Sequence, residues 1–336
     1  MSRDLRPIAL LVITLLSGSS VAGCGAPEAV LGVQEPPKAN PASAPLGVDL
    51  AKRILTRDFT AAQQGEATKG AAARAALGTA YTGAALRAAK ARIRLAALQP
   101  AGADSHLLTP QQPLLLAVPR GFGFPRAMVA QTVASKGSLP VLHLLTSPDA
   151  MTPYRISASA TMLPASSVKP FHPLTQGSPL VSDGAGMAVG GDVLLKAYVA
   201  GMEFPAKAMK NPPFAPDIFS AQVRAKARSV AKAVSKQATF SQVHQVVPSS
   251  VYAVRQAGGG ALVFAVIERT DSFKVKSGQA VNTSDNKEFV LLSGEKRVTR
   301  RASITWLEFV VFSVPAAKGK ATLVAASEQV VAGSGT

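Results

Sequence analysis

Two glutamates are the residues whose setting best suits chemistry. Glu308 alternates with Ile304, Trp306, Val310 and Phe312, and Glu268 alternates with Leu262, Phe264 and Val266. Alternate residues of a strand share a face, so each carboxylate is expected among apolar neighbours. A carboxylate desolvated in that way has a raised pKa and can shuttle protons as a general acid or base. Trp306, Glu308 and Glu268 are therefore the candidate lining of a cavity. The competing reading is stronger, because Arg269, Arg300 and Arg301 lie close by in sequence and carboxylates near strand ends commonly pair with such residues at a rim. No catalytic residue is assigned, and the expectation is a protein that is not an enzyme.

Other motifs point the same way. The run Gly184-Ala185-Gly186-Met187-Ala188-Val189 has valine where a dinucleotide fingerprint needs its third glycine, and no parallel strand-helix-strand pattern surrounds it. His106, His143, His172 and His244 are scattered, none at the spacing of a local zinc pair. His143, within Val141-Leu142-His143-Leu144-Leu145, reads as a sheet histidine held by a hydrogen bond. Neither a Gly-x-Ser-x-Gly elbow nor a phosphate-cradling Gly-x-x-x-x-Gly-Lys is present. No cofactor and no metal are expected.

Cys24 is the only cysteine, which excludes an internal disulfide or a cysteine metal site. It follows Arg3 and Arg6, a short apolar run over 8–16, and small residues over 17–23, the three-part pattern of a secretory signal. That run falls short of the roughly 20 apolar residues of a membrane span. Val21-Ala22-Gly23-Cys24 resembles the lipobox of bacterial lipoproteins, which implies that Cys24 is lipidated and becomes the mature N-terminus. Plain secretion with cleavage nearby is the alternative. The expected location is the extracytoplasmic face of the cell membrane, held by the lipid.

A formal charge of +17 is a strong field for an exported chain and favours anionic partners such as lipid headgroups or acidic envelope polymers. A nucleic-acid partner is not expected, since aromatics are only 5% of residues and do not interleave with the basic clusters, so a base-stacking platform is lacking. Arg224, Arg228, Lys232 and Lys236 recur every four residues as a basic ridge on a helix expected over 216–238. The plainer reading is that these cations only keep the helix surface solvated.

The elements that must position these residues fall into two runs. After the signal (1–23), a proline-rich tether spans 24–45. A first α+β domain over 46–163 has a helix at 48–64, with Leu50, Ile54 and Leu55 on one side, and a longer helix at 71–98. Strands follow at 114–118, 126–134, 139–146 and 154–163. A Pro, Ser and Gly-rich linker occupies 164–190. The second domain, 191–332, opens with helices at 192–202 and 216–238 and continues with strands at 240–247, 251–257, 261–273, 302–314 and 321–332. Gly258-Gly259-Gly260 and Lys318-Gly319-Lys320 mark hairpins, and the polar insert 274–301 carries a short strand at 289–292. The fold class is α+β, with two tandem units of a helix pair and a curved antiparallel sheet.

The lipobox, the tether, and two helix-then-sheet halves joined near Val181-Ser182-Asp183-Gly184-Ala185-Gly186 resemble an uncharacterised family of actinobacterial lipoproteins, a domain of unknown function. Each half resembles the cone-shaped fold of nuclear transport factors and ketosteroid isomerase, with a cystatin-like sheet as the variant. The resemblance implies fold and location and carries no functional residue across. Two functions follow as expectations: a non-catalytic, lipid-anchored envelope protein with a binding or scaffolding role, or a carrier or sensor of a hydrophobic small molecule. The second rests on Ala261-Leu262-Val263-Phe264-Ala265-Val266-Ile267, apolar at every position, so that something covers both faces of the strand.

Overall fold

The computed structural model describes residues 42–68, 70–98, 113–133, 137–182 and 184–336, which belong to one compact unit, Asn40–Thr336. The signal, the lipobox with Cys24 and nearly all of the tether lie outside the described residues, as does His106. The fold is α+β, with open antiparallel sheets.

Three helices open the described residues: α1 (Val48–Ala67), α2 (Gly70–Ala80) and α3 (Gly83–Ala96). The buried side of α1 is Ala51, Leu55, Asp58, Phe59 and Ala62, while Leu50 is left 44% exposed, so the expected stripe is rotated. The long helix expected over 71–98 is broken in two. Tyr81 leaves the helix to bridge Ile156, the Thr82 amide donates to the Ile156 carbonyl at 3.0 Å, and Gly83 turns the chain at φ +52°. Pairing with a strand thus outweighs an apolar periodicity that runs straight through the break.

The meander is β1 (Leu114–Ala117), β2 (Arg126–Thr132), β3 (Val141–Ser147) and β4 (Arg155–Thr161), paired in chain order. His143 is fully buried in β3, with Nε2 2.8 Å from Thr132 Oγ1, Nδ1 2.8 Å from Ser159 Oγ, and its ring edge-on to Phe59. Burial disfavours the imidazolium and lowers its pKa to about 3.

The second run holds α4 (Gly191–Met202), α5 (Ile218–Val234), β5 (Ala238–Val246), β6 (Tyr252–Arg255) and β7 (Ala261–Val275). An insert follows, with β8 (Val281–Asn282), α6 (Lys287–Ser293) and β9 (Arg297–Val298), then β10 (Arg301–Val314) and β11 (Thr322–Gly335). The strand expected at 289–292 is therefore the body of a helix. Asn286 caps it by accepting from the Phe289 amide at 2.9 Å, and Gly294 ends it at φ +81°. The sheet order is β11-β10-β7-β5, with β6 beside the start of β7. At the β6–β7 hairpin Gly260 has φ +71° and a Cβ there would collide with the Val314 carbonyl.

The two runs do not have one private core each: the second core is built within the second run, but the first draws on both. In β7, Leu262, Phe264 and Val266 face a core that also holds Leu55, Phe59, Leu77, Leu142 and Leu144, while Ala261, Val263, Ala265 and Ile267 face a second core with Leu194, Leu195 and Tyr198 of α4. Strand β10 divides in the same way, Leu307, Phe309 and Val311 to one side and Val310, Phe312 and Val314 to the other. The uniformly apolar run 261–267 is thus covered on both faces by the protein itself.

Candidate functional site

Helix α5 lies over the α4-side face of the second sheet. Asp217 starts it, accepting from the Ser220 amide at 2.7 Å and from the Ser220 hydroxyl at 2.8 Å. Its underside presents Val223 and Ala227, both buried, then the half-buried Val230 and Val234. The sheet face below changes character along its strands, because strand register places unlike residues in successive rows. Nearest α4 it is apolar, with Phe312, Val310 and Ile267. Next comes a row of charge, and beyond it Phe240, Phe273 and Ile304.

Arg269 organises the charged row. Its Nη1 donates to Glu308 Oε1 and to Glu328 Oε2, each at 2.7 Å, and its Nε lies 3.4 Å from Asp271 Oδ1. Arg269 is 1% exposed and Glu308 is fully buried. Burial works against the guanidinium's charge, yet Glu308, Asp271 and Glu328 together raise its pKa. Asp271 is shifted up by burial, an effect that Arg269 and His244 oppose. His244 Nε2 stands 3.5 Å from Glu308 Oε1, and neither ring nitrogen has a hydrogen bond. Above them the ammonium of Lys226 lies 3.6 Å from Glu328 Oε1 and 4.6 Å from the centre of the Trp306 ring, and the Arg269 guanidinium sits 4.5 Å from that centre.

Trp306 and Asp271 close one end of a groove of about 480 Å³ that runs between α5 and the sheet. Its walls are Val230 and Val234 of α5, Phe273 and Ile304 of the sheet, and Phe289 with Val298 of the insert. The insert thus has a positional role: without α6 and the β8–β9 pair, this face of the sheet would lack its second wall. Asp285, Asn286 and Glu288 line the insert side and also border an adjoining depression beside Leu95 and Leu98.

The structure separates the two glutamates first singled out. Glu308 pairs with Ile267 and Glu268 with Leu307, so they point to opposite faces of the sheet. Glu268 is at an exposed rim, held by Arg87 of α3 at 2.9 Å, so the rim reading describes it with a different arginine. Glu308 is held by Arg269 in the interior, and the groove is lined by Trp306 but not by Glu308. Of the basic ridge, Arg228, Lys232 and Lys236 are exposed, whereas Arg224 is half-buried and donates to the Gly201 carbonyl at 3.4 Å. Sequence reasoning passed over Lys226, Asp271 and Glu328, and took His244 only as one of four scattered histidines. The available signal was in β7, where Arg269 and Asp271 continue the face of Ala265 and Ile267 and must therefore enter a covered interior.

Among the described residues no cluster of His, Cys, Asp or Glu could hold a metal ion, and no helix is long and apolar enough to cross a membrane. A family model described as Domain of unknown function (DUF8094) matches residues 49–335. No curated protein and no solved structure matches the chain.

Proposed function

We propose that this chain, which belongs to the DUF8094 family, is a lipid-anchored envelope protein that holds a hydrophobic small molecule in the groove under α5. The observation that supports binding is the groove itself: about 480 Å³, walled by Val, Ile, Phe and Trp side chains, on a sheet face otherwise sealed by α4 and α5. That volume lies within the range of small-molecule sites. Its polar end is occupied by ion pairs that hold one another, with Glu308 buried under Arg269. The reading is therefore binding without chemistry.

Trp306 is the chain's only tryptophan and lines the groove, so occupancy has a built-in reporter. Titration with the neutral apolar probe N-phenyl-1-naphthylamine should quench Trp306 by energy transfer and saturate at one site. Substituting Val230→Glu should abolish the signal, and an unchanged titration in that variant would place the probe elsewhere.

The anchor rests on the lipobox resemblance at Cys24, and a second attachment is supported by the exposed Arg228, Lys232 and Lys236 on α5. Fractionation of expressing cells separates them. The natural chain should stay with membranes in high salt, whereas Cys24→Ser should stay only in low salt, because exposed charges are screened. Release of the natural chain by salt would refute the anchor, and a soluble Cys24→Ser at every salt would refute the basic attachment.

A further inference from the structure

We infer that the molecule held in the groove is an amphiphile with a positively charged head, a lipophilic amine or quaternary ammonium; this rests on the groove binding a hydrophobic molecule at all. The charges that line the groove do not all find partners within it. Four charged side chains line the groove: Lys226, Asp271, Asp285 and Glu288. Lys226 is matched by Glu328 at 3.6 Å, and Asp271 is matched by the Arg269 guanidinium at 3.4 Å. Asp285 and Glu288 are exposed and make no salt bridge among the described residues. Lys287, exposed between them, borders the adjoining depression and not the groove. What the groove shows an incoming head is thus two carboxylates without a salt bridge, in a chain whose formal charge is +17.

Their place fits a head-group role. Asp285, Asn286 and Glu288 lie on the insert side of the groove, at the ridge shared with the depression beside Leu95 and Leu98. An apolar tail lying along Val230, Phe273 and Ile304 would leave its head at that ridge. The head would be recognised by the carboxylates and not by an aromatic cage, because the Trp306 ring already faces Lys226 and Arg269. A carboxylate or phosphate head would instead meet like charge on the insert wall, and Lys226, the cation that lines the groove, is already paired.

Three probes of equal tail length test this by Trp306 fluorescence, each below its micelle concentration: dodecylammonium, dodecanol and dodecanoate. The expected order is ammonium, alcohol, carboxylate, with the ammonium about fivefold or more tighter than the alcohol at low salt. That gap should close as salt is raised and should close in the double variant Asp285→Asn, Glu288→Gln, which alters exposed side chains only. Equal or tighter binding of the alcohol, or tightest binding of dodecanoate, would overturn the charge inference and leave the hydrophobic site standing. If none of the three binds, both readings fall. Salt dependence in the natural chain decides the matter even if the double variant does not fold.

Discussion

Removing Arg269 is the sharpest probe of the charged row under α5. Arg269→Met keeps the length of the side chain and its packing on Trp306 but leaves Glu308, which is fully buried, without the 2.7 Å donor it now has. Glu328 retains Lys226 at 3.6 Å and its side chain is 30% exposed, and Asp271 loses a contact of 3.4 Å rather than a hydrogen bond, so the largest share of the cost falls on Glu308. Orphaning a buried charge in this way costs about 3 to 5 kcal/mol. At roughly 2–3 °C per kcal/mol for a chain of this size, Tm should fall by about 10 °C. The second variant makes the test discriminating. Arg269→Met with Glu308→Met removes both charges of the buried pair; Asp271 loses its 3.4 Å partner in the single and the double variant alike, so the double variant should recover at least half of the loss, a coupling of about 2 kcal/mol or more. Urea unfolding followed by Trp306 fluorescence and by far-ultraviolet circular dichroism gives the energies. A single variant within about 1 kcal/mol of the natural chain, or a double variant as unstable as the two single changes added, would refute the account of an interdependent buried pair.

Two further tests concern elements away from the groove. Burial raises the Asp58 pKa from 3.8 to about 7, although Arg57 donates to it at 2.7 Å and Arg155 also favours its charge. The folded state therefore holds this proton more tightly than the unfolded chain, so the contribution is complete below pH 3.8 and is lost as pH rises through about 7. Asp58→Asn should gain on the natural chain by about 2–4 kcal/mol between pH 4 and pH 8, and parallel stability curves over that range would refute the assignment; His143, common to both chains, cancels. Gly260→Ala places a Cβ against the Val314 carbonyl at a positive φ and should cost about 2 kcal/mol or more by urea unfolding, with a neutral result counting against the hairpin geometry.

Local chemistry carried much of this fold into view. The continuous apolar run at 261–267 and the β-branched and aromatic stretch at 302–314, with glycines at 258–260 and 319, mark the long strands β7 and β10 and their hairpins because turn and strand chemistry are both local. The break at Tyr81–Thr82 was not legible, since it is made by Ile156, a residue far off in sequence. The helix α6 was missed for a related reason: Phe289-Val290-Leu291-Leu292 is apolar enough for either element, and the Asn286 cap and Gly294 stop decide it. Of the site, Trp306 was found because it alternates with Glu308 along one strand face. The alternation that singled out Glu308 and Glu268 assigned each a face correctly but could not show that the faces are opposite, which depends on the Leu307–Glu268 register. The groove itself needed the insert to fold back over the sheet, and no local signal encodes that return.

The division of β7 and β10 between two cores has a consequence for the order in which the chain is made. Leu55, Phe59, Leu77 and Leu144 are finished early, yet the surface that seals them includes Phe264, Leu307 and Val311. A chain delivered from its N-terminus, through a ribosome or an export channel, must keep its first hundred or so residues waiting with a wet apolar flank until the far strands emerge. Cut anywhere between the halves, neither fragment has a complete interior.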